Sequence, residues 1–149
     1  MPQSLANVLI HIAFSTKNRK PLLANPEFQA KTHAYIAGVT KTLDCPAVRI
    51  GGVADHVHLL VSLARTITIA DFVKEAKRAS TNWIQGQGLP TFHWQTGYAA
   101  FSIDRSRVQE VVAYIERQAE HHQLIGFQNQ FRRLLRENNM AFDERYIWD

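Results

Sequence analysis

The chain has 149 residues, 46% of them hydrophobic and 20% charged, a balance that fits one globular domain with its own core and excludes wholesale disorder. Its 17 Lys and Arg against 13 Asp and Glu give a net charge of +4, which favours an anionic partner. The lone Cys45 excludes a disulfide framework and a Cys-paired zinc site. The apolar stretches are too short to cross a bilayer, and MPQSLANVLIHIAF lacks a basic leader region, so a cytoplasmic protein is expected.

No repeat or low-complexity tract divides the chain, so residues 1–149 read as a single domain with a C-terminal extension over about 123–149. Leu5–Phe14 is a mostly apolar run rich in Val, Ile and Leu and predicts a buried strand. A basic loop, STKNRKP, follows. Asn25-Pro26 supplies a cap and a first-turn proline for a helix to about Leu43, which Cys45-Pro46 ends. Val48–Val53 and His56–Leu63 predict a hairpin around Ala54-Asp55. Thr68–Gln85 repeats apolar residues at three- and four-residue spacing and is the clearest helix. Phe92–Trp94 and Tyr98–Ile103 read as extended segments, Ser106–His122 as a helix, and Phe127–Asn138 as a last amphipathic helix before an aromatic tail. The order β-α-β-β-α-β plus C-terminal helices predicts an α+β, ferredoxin-like (RRM-like) sandwich, with an antiparallel sheet and helices on one of its faces.

Asp55-His56-Val57-His58 is the most informative segment. Alternation on a strand puts His56 and His58 on one face, about 7 Å apart, and Val57, Leu59, Val61 and Leu63 on the core face. Two such imidazoles can converge on a divalent cation if a third ligand arrives from elsewhere. Without one they are two half-exposed histidines on a sheet surface. On the later helix, Tyr114, Gln118 and His121 form an i, i+4, i+7 line, while His122 falls in the apolar stripe. The Gln118 amide oxygen is a candidate third ligand. A Tyr114 phenolate beside it could attack a metal-polarised phosphodiester.

Lys74, Lys77 and Arg78 form a basic ridge on the helix Thr68–Gln85, opposite its apolar stripe, and Lys17, Arg19 and Lys20 add charge in the first loop. Both suit phosphate contacts. Arg132, Arg133 and Arg136 extend the positive field, and Phe92, His93, Trp94 and Tyr98 are candidates for stacking on unpaired bases or for packing under the last helices.

DHVHLLVSL followed by YIERQAEHH resembles the single-tyrosine HUH transposases of bacterial insertion sequences, the insertion-sequence-200-like family. FHWQTGYAAFSI and the closing DERYIWD resemble the REP-associated tyrosine transposase branch, and the likeness spans nearly the whole chain. It implies that His56, His58 and Gln118 bind Mg²⁺ or Mn²⁺ and that Tyr114 forms a 5′-phosphotyrosine with single-stranded, hairpin-containing DNA. It also implies a homodimer, or in the REP-associated branch a monomer, and leaves His121 as a candidate proton shuttle. Two other functions fit parts of the sequence: a non-catalytic single-stranded nucleic-acid-binding module, and a small metal-dependent hydrolase with water as nucleophile. Only the transposase reading expects a covalent protein–DNA adduct.

Overall fold

The computed structural model describes residues 3–120 and 126–149. Strands β1 (Leu9–Ser15), β2 (Ala47–Gly52), β3 (His56–Ser62) and β4 (Ala99–Ile103) form one antiparallel sheet in the order β2-β3-β1-β4. With α1 (Pro26–Thr42) between β1 and β2 and α2 (Ile69–Gly86) between β3 and β4, this is the ferredoxin-like arrangement. α3 (Val108–Glu116) and α4 (Phe127–Glu137) follow.

Local chemistry explains the principal helix starts. The Asn25 side chain accepts from Phe28 N, with Pro26 as the first helical residue, and Thr68 accepts from Asp71 N at the head of α2. Ile10, Ile12 and Phe14 of β1 pair across the sheet with Val61, Leu59 and Val57 of β3. All six lie in a core completed by Phe72, Val73 and Ile84 of α2 and by Ile36 of α1. Burying each such side chain contributes about 1.5–3 kcal/mol. A one-residue slip of β3 would drive His56 and His58 into that core, so the hydrophobic pattern specifies the register.

Four details differ from the sequence expectations. β1 begins at Leu9, since Leu5 is exposed and outside the sheet. Phe92 and Trp94 are not a strand: Trp94 makes an isolated bridge to Thr16, and both rings pack edge-on, Trp94 also against Phe14. They therefore belong to the α1/α2 core and do not lie under the last helices. The helix expected over Ser106–His122 is interrupted: a 3₁₀ turn at Arg105–Arg107 precedes α3, Arg117 leaves helical geometry, and residues 118–120 are helical again.

The fourth detail concerns the second face of the sheet, expected to carry half-exposed histidines. Helices cover both faces. α3 packs over Leu60 through Val111 and Ile115, and α4 over Ala99 and Phe101 through Phe127, Phe131 and Leu135. Among the described residues, no helix is long and apolar enough to cross a membrane.

Candidate active site

The histidine face of β3 is sealed beneath α3 and α4, and His56 and His58 are both 0% exposed, with ring centroids 5.2 Å apart. His56 is engaged at both ring nitrogens: Nδ1 lies 2.7 Å from Asp55 Oδ1, and Nε2 lies 2.9 Å from Gln118 Oε1. Gln118 Nε2 donates to the Tyr114 carbonyl at 3.2 Å, which turns the amide oxygen toward His56. An ionised Asp55 carboxylate can only accept, so His56 Nδ1 donates to it. Lone pairs on His56 Nε2 and Gln118 Oε1 then face each other, and a proton or a cation is needed to satisfy both.

That donor set suits a divalent metal. Two imidazoles and an amide oxygen match Mg²⁺ or Mn²⁺ when water or phosphate oxygens complete the shell. Among the described residues no group of three His, Cys, Asp or Glu side chains forms a metal cluster, so a ligand set here has to include the amide.

Tyr114 stands beside this pair. Its ring meets His58 edge-on at 5.6 Å and His11 at 6.0 Å between centroids. Burial pushes its phenol up to about 12, against a smaller opposing effect of its hydrogen bond to Gln118. At neutral pH the group is a phenol, and using it as a nucleophile requires positive charge or a base nearby. A cavity of about 490 Å³ is lined by Tyr114, His11, Phe101, Arg107, Arg133 and Asn138, large enough to admit part of a nucleotide chain next to the hydroxyl.

α3 reaches this position because β2 has no side chain in its way. Gly51 pairs with His58, and a Cβ built on Gly51 would lie 2.6 Å from the Ile115 carbonyl oxygen. An ion pair between Arg49 and Glu116 at 3.1 Å ties the same strand to the end of α3. On the other side the Phe127 ring of α4 packs 4.5 Å from that of His56.

Sequence reasoning missed Gly51, Phe127, Asp55 as the partner of His56, and above all His11. His11 lies on β1, 3% exposed, with Nε2 2.8 Å from His58 Nδ1. Burial lowers its pKa to about 4, so the ring is neutral. One sign was readable: a histidine alternating with Ile10, Ile12 and Phe14 must face away from the core. Its pairing with β3 was not.

The basic residues divide into three groups. Lys17 and Lys20 are exposed and Arg19 half-buried, its guanidinium 5.8 Å from the Trp148 ring. Their loop leaves β1 at Ser15, which pairs with His56, and Thr16 N bonds to Asp55 O at 2.8 Å, so it adjoins the histidine site. Lys74, Lys77 and Arg78 are on α2, across the sheet from Tyr114. Lys74 is exposed and Arg78 pairs with Glu75 at 2.7 Å. Lys77, expected on the open ridge, instead turns inward. Its ammonium donates to the carbonyls of Gln95, Thr96 and Gly97 at 2.8, 3.2 and 2.7 Å and lies 5.0 Å from the Phe14 ring centroid, and burial lowers its pKa to about 8. The third group is C-terminal: Arg132 and Arg133 pair with Glu144 and Glu137, and Arg136 is exposed. His121 and His122 lie outside the described residues.

No curated protein matches the sequence. A protein assigned as a transposase in Deinococcus radiodurans R1 has a similar structure, with a TM-score of 0.63 at 22% identity, over 79% of this chain and 98% of that one. A REP-associated tyrosine transposase bound to a REP hairpin is also similar, with a TM-score of 0.61 at 16% identity, over 84% of this chain and 74% of that one. At these identities the likeness shows a shared fold. The sequence itself shows the family: residues 4–118, well over half of the chain, match the model for IS200-like transposases, and this protein belongs to that family.

Proposed function

We propose that this chain cleaves and rejoins single-stranded DNA through Tyr114, with Mg²⁺ or Mn²⁺ held by His56, His58 and Gln118. The observation that carries the reading is the meeting, within one chain, of His56 Nε2 and Gln118 Oε1 at 2.9 Å beside a Tyr114 ring 5.6 Å from His58. When bound, the cation supplies positive charge that polarises the phosphate and lowers the cost of a phenolate. Gln118 keeps its oxygen on the metal side by donating to the Tyr114 carbonyl, and Asp55 orients His56 through Nδ1. Tyr114 gives up its phenolic proton and its oxygen attacks phosphorus. The bond to the 3′ oxygen breaks, the tyrosine retains the 5′-phosphate, and the departing 3′ oxygen takes a proton. One ester replaces another, so attack by a 3′-hydroxyl reverses the step without a nucleoside triphosphate.

The substrate we infer is single-stranded DNA carrying a hairpin, a reading supported by the similarity to a REP-associated transposase bound to one. Lys17, Arg19 and Lys20 adjoin the site and suit its phosphates. Lys74 and Arg78 suit a more distant stretch of the same DNA. Because His56, Gln118 and Tyr114 meet in one chain, we take the catalytic unit to be a single chain, and a homodimer would pair two complete sites.

End-labelled hairpin DNA with single-stranded flanks, incubated with the protein and Mn²⁺, tests the reading. A denaturation-resistant adduct that disappears in Tyr114→Phe and in excess chelator is expected. Cleavage without an adduct would make the protein a hydrolase, and tight binding without cleavage would make it a binding module. Either result overturns the proposal.

A further inference from the structure

His11 is the one buried titratable group at the site to which the reaction above assigns no task. It faces His58 diagonally across β1 and β3: His58 pairs with Ala13, and His11 with Leu60. Diagonal neighbours on one sheet face are within reach of long side chains. Ala13, small and fully buried, leaves room opposite His58 for the two rings to approach, with centroids 5.1 Å apart and planes tilted by 33°. The result is the 2.8 Å contact between His11 Nε2 and His58 Nδ1.

One hydrogen lies between those two nitrogens, and which ring owns it decides what His58 can do. If His11 donates, His58 Nδ1 is the acceptor and the neutral His58 ring carries its proton on Nε2, with no lone pair there for a cation. If His58 donates, Nε2 is bare. The second arrangement is the one its neighbour already has: His56 gives its Nδ1–H to the Asp55 carboxylate and turns Nε2 toward Gln118. A ligating imidazole whose other nitrogen donates to a fixed acceptor has both its tautomer and its ring orientation set. Two ligands on one strand are thus held in the same way by different acceptors, a carboxylate for one and a neutral imidazole for the other.

We propose that His11 is a positioning residue that accepts the His58 Nδ1–H and so leaves His58 Nε2 as the lone pair offered to the divalent cation beside Tyr114. The inference rests on the metal-dependent reading above. It adds a requirement on β1, outside the His-x-His and Tyr-x-x-x-Gln motifs, and it makes the neutral form of His11 a condition for ligand geometry. His11 touches the Tyr114 ring edge as well, so its replacement has to be chosen to keep that packing.

Two measurements test it. Long-range ¹⁵N–¹H correlation spectra of the metal-free protein report the tautomer of each histidine directly, and the proton of His58 is expected on Nδ1. Titration with Mn²⁺ followed by calorimetry or electron paramagnetic resonance reports affinity without reference to cleavage. His11→Phe keeps a buried ring and removes the acceptor. It is expected to shift His58 toward the Nε2–H form and to weaken Mn²⁺ binding about 10–100-fold. His11→Gln can place its amide oxygen where the imidazole Nε2 was, and should restore the Nδ1–H form and most of the affinity. Because the wild-type spectrum needs no substitution, the tautomer is readable even if His11→Phe fails to fold. A wild-type His58 protonated at Nε2 while Mn²⁺ binds normally overturns this inference alone, as does a folded His11→Phe with wild-type affinity. Equal losses in the Phe and Gln variants would reduce His11 to packing and overturn it too. A wild-type protein that binds no Mn²⁺ overturns the metal-dependent reading, and this inference with it.

Discussion

Adding one methyl group to β2 should disable the site without touching any reacting group. In Gly51→Ala the new Cβ would lie 2.6 Å from the Ile115 carbonyl oxygen and 2.7 Å from Ile115 Cγ2. A rotamer change can move Cγ2, but the carbonyl belongs to α3. Reaching an ordinary contact of 3.4 Å therefore requires about 0.8 Å of separation between β2 and the helix. Tyr114 precedes Ile115 directly and Gln118 is three residues on, so the 2.9 Å approach of Gln118 Oε1 to His56 would open beyond hydrogen-bond range. A displacement of roughly 1 Å at reacting groups costs about 10²-fold in rate, while overpacking of this kind costs about 1–3 kcal/mol in stability. The assay is single-turnover adduct formation with saturating DNA and Mn²⁺, run beside urea denaturation. Gly38→Ala is the control. Nothing lies within 4 Å of a Cβ there, and in the middle of α1 alanine should add about 0.5–1 kcal/mol of stability without changing the rate. If Gly51→Ala forms adduct at the wild-type rate, the close approach of α3 to β2 is not what positions Tyr114 and Gln118.

Three further outcomes follow from the geometry. The Tyr114 phenol rises from 10.0 to about 12 on folding, so the folded state holds an extra proton between those values and stability falls as pH rises through them. Wild-type protein should lose about 2–3 kcal/mol more than Tyr114→Phe across that window in urea titrations, and parallel curves would show the phenol to be solvated. Lys77→Met should lower stability by about 2–3 kcal/mol through loss of its carbonyl contacts and leave the salt dependence of DNA binding unchanged. Lys74→Gln should do the reverse, flattening the slope of log affinity against log salt by up to about 0.7; a fully stable Lys77→Met with a flatter slope would return Lys77 to the DNA surface. Gln130 is 1% exposed, and neither of its amide atoms has a hydrogen-bond partner. Gln130→Leu should therefore raise stability by about 1 kcal/mol in urea denaturation, and a destabilised variant would mean that the amide is satisfied in solution.

Read alone, the sequence determined those features that follow from local periodicity and local chemistry. The alternation of Val57, Leu59 and Val61 with His56 and His58 assigned each residue to its face of β3, because a one-residue slip would bury both imidazoles in the α1/α2 core. Asn25-Pro26 and Thr68 announced the starts of α1 and α2 through the amides their side chains cap. The ferredoxin-like order and the candidacy of His56, His58, Gln118 and Tyr114 were readable on the same grounds. What only the tertiary structure decided depends on residues distant in sequence. Whether the histidine face is open or sealed rests on α3 and α4 packing back over the sheet, and no period in β3 encodes that cover. His11 meets His58 across 47 positions of chain through the pairing of β1 with β3. Lys77 carries the same charge as Lys74, yet its ammonium is drawn inward by carbonyls of a segment whose course no helical wheel records. Periodicity says which way a side chain points from its own element; what it meets there depends on how the other elements fold against it.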